Sequence, residues 1–121
     1  MKDLVILAIA LATSLGFVPE GSAHTTLSHA VPAAGSTVHA PPSQIKLWFT
    51  GRFEPAFSTV QVVDRSGTRV DNGKPLQDPG NAKLLVATVP QLAPGTYRVK
   101  WRVLSVDNHV SEGEFAFDIS P

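Results

Sequence analysis

Three residues in this chain have the types and spacing to converge on one metal ion: His24, Asp107 and His109. His24 follows Gly21-Ser22-Ala23, whose small residues at 21 and 23 fit the A-x-A-like rule for signal-peptide cleavage. A cut after Ala23 makes His24 the first residue of the mature protein. Its free α-amine and its ring Nδ1 can then close on one ion. Asp107 and His109 stand two apart, and in an extended segment such residues point the same way. Their parity continues that of Tyr97, Val99, Trp101 and Val103. A carboxylate and an imidazole ending a core-facing row need a polar partner or a metal. Three side chains plus the α-amine make a four-point set of nitrogen and oxygen donors, the tetragonal kind that suits copper(II). Asp-x-His alone is weak, because a turn residue followed by an exposed loop histidine has the same pattern.

The first residues read as an export signal over 1–23, leaving a mature domain over 24–121. Met1-Lys2-Asp3 is a short start, Leu4 to Phe17 an apolar run, and Pro19 to Ala23 a polar end. The apolar run is shorter than the roughly 20 residues of a membrane span, so cleavage is favoured over an uncleaved anchor. What remains, roughly 100 residues, is enough for one small domain with one core. Basic and acidic residues balance at 10 each. This gives no electrostatic case for nucleic acid or an anionic membrane as partner. The chain has no cysteine, which excludes disulfides, thiolate metal sites and the Cys-ligated blue-copper centre. Its only methionine, Met1, is lost with the signal.

The mature segment reads as short strands between Pro/Gly turns, with helix confined to a short turn. Ile45, Leu47 and Phe49 alternate with Lys46 and Trp48 in a half-buried strand ending at Gly51. Phe57 to Asp64 and Ala82 to Val89 are predicted as strands, separated by a flexible stretch from Asp71 to Asn81. The longest pattern spans Thr96 to Val106, with Tyr97, Val99, Trp101 and Val103 inward and Arg98, Lys100 and Arg102 outward. Phe115, Phe117 and Ile119 form the inward face of a last strand, with Glu114 and Asp118 outward. The expected fold is an all-β, Ig-like Greek-key sandwich, small and barrel-like.

Other candidates read more plainly. His29 shares parity with Leu27 and Val31 and is expected at the core edge, with an auxiliary copper role as the alternative. His39, before Ala40-Pro41-Pro42, is expected in an exposed loop. Trp48, Trp101 and Tyr97 are expected as core aromatics. The basic stripe is expected to pair across strands with Glu114 and Asp118 rather than dock an acidic partner.

Taken together, His24-Thr-Thr-Leu27, Pro32-Ala33-Ala34-Gly35, Phe57-Ser58, Pro94 to Trp101 and Ser105-Val106-Asp107-Asn108-His109, with Gly113 and Phe117 beyond, resemble the CopC-type periplasmic copper-binding proteins. The resemblance covers essentially the whole mature segment. It implies a periplasmic, monomeric, non-enzymatic protein of copper homeostasis or resistance. One copper(II) per chain would be held by His24 (amine and ring), Asp107 and His109. The implied partner is an inner-membrane transporter of the CopD type or another periplasmic copper protein. Two departures stand out. Without mature methionines the chain resembles the copper(II)-only kind. Where many relatives place an acid after a Phe-Ser pair, this chain has Phe49-Thr50-Gly51, with Glu54 as a possible substitute.

Two other classes compete. A polysaccharide-oxidising copper monooxygenase also uses an N-terminal histidine, but an aspartate set directly on the metal would occupy a position oxygen chemistry needs open. A metal-free Ig-like interaction module would not respond to copper at all.

Overall fold

The computed structural model describes residues 25–121. Eight strands follow one another: β1 (Leu27–Val31), β2 (Thr37–Val38), β3 (Gln44–Phe49), β4 (Thr59–Val63), β5 (Leu76–Asp78), β6 (Asn81–Thr88), β7 (Gly95–Leu104) and β8 (Val110–Ile119). They form two four-stranded sheets, β1-β3-β6-β5 and β2-β8-β7-β4, which are not joined into a closed barrel. The only helical element among the described residues is a 3-10 turn, Pro55–Phe57. None of their helices is long and apolar enough to cross a membrane.

Alternation explains most of this layout, because successive strand side chains face opposite sides. On β3, Ile45, Leu47 and Phe49 are buried; on β7, Tyr97, Val99, Trp101 and Val103 are buried. With Val60, Val62, Leu85, Ala87, Phe117 and Ile119 they fill the space between the sheets. Burying side chains of this size stabilises by about 1.5–3 kcal/mol each before the entropy of ordering is counted. The buried Tyr97 hydroxyl is satisfied by donating to the Ala93 carbonyl at 2.6 Å. Outward on β7, Arg98 bonds Glu114 at 3.0 Å and Arg102 approaches Glu112 at 3.9 Å. Asp118 instead accepts from the Thr96 hydroxyl.

Four sequence expectations need correction. The strand expected from Phe57 starts at Thr59, because Pro55, which lacks an N–H, opens the 3-10 turn and leaves Phe57 exposed. The stretch expected to be flexible carries β5 and the buried carboxylate of Asp71. His29 is exposed on the outer face, since a bulge between Leu27 and His29 breaks the parity and sends Ala30 into the core. Trp48 also lies on the outer face, where its indole stacks on the His29 ring at 4.4 Å and 8°.

One end of the sandwich concerns the candidate metal residues. There β3 finishes, and residues 50–58 cross to β4 in the other sheet. The β7–β8 hairpin turns over Ser105 to His109 at the same end, joined to the crossing segment by a Phe53–Ser105 bridge. Phe53 and Trp101 both pack edge-on against Phe49 beneath it.

Candidate metal centre

The row of inward β7 side chains continues one step beyond Val103, to Ser105, which is 2% exposed. There the strand stops and the chain turns. Asn108 adopts the left-handed conformation (φ 73°), one that Asn tolerates better than most residues. Asn108 N–H donates to the Ser105 carbonyl at 2.9 Å, and Ser105 N–H donates to the His109 carbonyl at 2.8 Å. Asp107 and His109 therefore meet across a tight turn and not through strand parity, as their spacing alone suggested. Both are solvent-accessible, while Ser105 beneath them is not.

His109 Nδ1 lies 3.1 Å from Asp107 Oδ1. The same oxygen accepts a hydrogen bond from the Ser105 hydroxyl. That bond first, and the His109 ring second, hold the Asp107 carboxyl below its usual range. An ionised carboxylate can only accept, so the proton between the two side chains sits on Nδ1. Such an imidazole–carboxylate contact fixes both tautomer and ring orientation, as is common around metal-binding histidines.

The N-terminal segment meets this end from the side. Thr50 N–H donates to the Thr26 carbonyl at 2.8 Å, and Thr26 N–H donates to the Thr50 hydroxyl at 3.0 Å. Thr25 is buried, and its Oγ1 lies 2.6 Å from where a Cβ on Gly51 would stand. The next residue, Arg52, accepts through its carbonyl from Val106 N–H at 3.2 Å. A continuous run of contacts thus leads from Thr25 through Gly51 and Arg52 to the turn bearing Asp107 and His109.

Of the predicted ligands, the fold brings Asp107 and His109 together, while His24 lies outside the described residues. Among the described residues no three His, Cys, Asp or Glu side chains form a metal-sized cluster. Glu54 is exposed at the rim, its N–H bonded to the Leu104 carbonyl. His29 belongs to the outer face of its sheet. His39 is bonded through Nδ1 to the Ser120 hydroxyl at 2.8 Å, at the opposite end where β2 meets the close of β8. Ser105 was not singled out from sequence, although a polar residue extending an apolar row was the available signal.

Comparison with known proteins agrees with this architecture. The CopC domain model matches residues 27–120. Protein YobA of Escherichia coli strain K12 is 35% identical over 116 residues, covering 93% of this chain and 91% of that protein. Copper resistance protein C of Escherichia coli is 30% identical over 112 residues, covering 87% and 88%. The crystal structure of CopC from Methylosinus trichosporium OB3b superimposes with a TM-score of 0.77 at 38% identity, over 81% of this chain and 95% of that one. PcoC, a methionine-rich copper resistance protein from Escherichia coli, gives 0.73 at 31%, over 81% and 100%. The fold, the extent of the match and the relatives agree: this chain belongs to the CopC family.

Proposed function

We propose that this chain is a periplasmic copper(II)-binding protein that sequesters or delivers copper in copper homeostasis and resistance. It is a binding protein and not an enzyme, as the CopC family is. The observation that carries the proposal is the Asp107–His109 pair, held ready-made in one turn beside the start of the described chain. Removal of residues 1–23 would free the α-amine of His24, one residue before the buried Thr25. Amine, ring, carboxylate and second imidazole then supply the tetragonal nitrogen and oxygen donor set that copper(II) takes. The methionine-rich character of PcoC has no counterpart here, since Met1 is the only methionine. This favours copper(II) over a thioether-bound copper(I).

In this scheme the protein's own groups do three things. The ionised Asp107 supplies negative charge, the His109 ring is fixed by that carboxylate, and Thr25, seated against Gly51, is the chain neighbour of His24. Copper, the cargo, binds only deprotonated donors, so affinity falls with pH as protons compete for the amine and the imidazoles. Thermal melting of the mature protein with and without copper(II) tests the proposal. At a free-metal concentration of ~100 Kd, stabilisation of about 2.7 kcal/mol is expected. An unchanged melting temperature at saturating metal would leave a metal-free module as the better description.

A further inference from the structure

We propose that Ser105 is a positioning residue for the candidate metal pair, its buried hydroxyl setting where Asp107 and His109 stand relative to each other. The inference rests on the copper(II) proposal above and assigns the part of the fold that builds that site. A hydroxyl in the inward row of β7 is costly unless its hydrogen bonds are made. Both sides of this one are spent on the turn above it. It donates to Asp107 Oδ1 and accepts from His109 N–H at 3.3 Å. The Ser105 main chain adds its N–H to the His109 carbonyl and its carbonyl to Asn108 N–H. Every polar group of one buried residue is thus directed at the loop that carries both metal-binding side chains.

This division of labour separates rigidity from exposure. Asp107 and His109 must reach solvent to meet an ion, and exposed side chains on a hairpin turn have wide rotamer freedom. Anchoring the carboxylate to a core residue restricts that freedom before metal arrives, which lowers the ordering cost of binding. Alanine at 105 would fit the space, keep the main-chain bonds and release the carboxylate. Threonine would keep the hydroxyl.

The test compares the wild-type mature protein with Ser105→Ala, Ser105→Thr and Val103→Ala, using copper(II) alone as probe, at a temperature where each variant is folded. Affinity is read by competition titration and coordination by electron paramagnetic resonance. Ser105→Ala is expected to weaken binding roughly 10–100-fold and alter the spectrum. Ser105→Thr should retain the wild-type spectrum even if it melts earlier. Val103→Ala, which opens a cavity next along the same row, should lower the melting temperature and leave copper binding unchanged. Wild-type affinity and spectrum in Ser105→Ala would overturn the assignment, as would equal weakening in Val103→Ala. A wild-type protein that takes up no copper(II) would instead defeat the copper proposal itself, and this inference with it.

Discussion

Thr25 Oγ1 occupies the space beside the Gly51 Cα, 2.6 Å from the position of any Cβ there. The glycine that replaces an acid expected from the resemblance is therefore not an empty place. It is the surface on which the start of the domain is seated, and Thr25 is buried as a result. A side chain at 51 must displace the Thr25 side chain, whose neighbour Thr26 is tied to Thr50 by two hydrogen bonds.

Gly51→Ala is accordingly expected to destabilise the fold by about 1–3 kcal/mol, the usual cost of overpacking, and to weaken copper(II) binding at the same time. Gly51→Asp should not strengthen binding. Urea unfolding paired with a copper titration checks both. An alanine variant with wild-type stability and affinity would mean that Thr25 moves freely and does not seat the N-terminal segment.

Asp71 gives a stability prediction independent of the metal. Burial works to raise its carboxyl, but is outweighed by hydrogen bonds from Arg69, Val62 N–H and Gly73 N–H, so its pKa falls below the usual value. A depressed carboxyl contributes stability that is complete above the unfolded-state pKa, near 3.8, and is lost as pH falls through the folded value. Asp71→Ala leaves two main-chain donors without their acceptor and should cost about 1–3 kcal/mol at neutral pH. In chemical denaturation at a series of pH values, the gap between wild type and variant should narrow below pH 3.8. A gap of constant size down to pH 2 would show that ionisation of Asp71 plays no part.

The stacked His29–Trp48 pair lies on the outer face of one sheet, while Asp107 and His109 belong to the β7–β8 turn of the other. His29→Ala should therefore leave copper stoichiometry and affinity unchanged. It should change the fluorescence of Trp48 and cost about 0.5–1.5 kcal/mol of stability from the lost ring contact. A drop in copper affinity would make His29 an auxiliary ligand after all.

Much of the fold was legible because alternation is a physical signal that survives without context. On β7 the inward and outward residues were read one by one, and the long pairing with β8 follows from two such strands meeting at a turn. Where alternation breaks, the sequence misleads. The bulge near Ser28 inverted the expected side of His29, and Pro55 replaced the beginning of a strand by a 3-10 turn. At the candidate site Asp107 and His109 do come together, but not by the strand parity that their spacing suggested. Asp107 and His109 converge because Asn108 turns the chain, while the inward parity ends at Ser105. Ser105 and Asp71 escaped notice because their importance lies in hydrogen bonds to distant or folded-back main chain, which no local pattern encodes.

In the proposed scheme, cleavage after Ala23 creates half of the copper site by freeing the amine of His24. Copper(II) titration of a chain beginning at His24, set against the same chain with Ala23 retained in front of it, tests this most directly. The expected result is tight one-to-one binding by the first and much weaker binding, with a different paramagnetic resonance spectrum, by the second. Equal affinity and identical spectra for the two would rule out the His24 amine as a ligand.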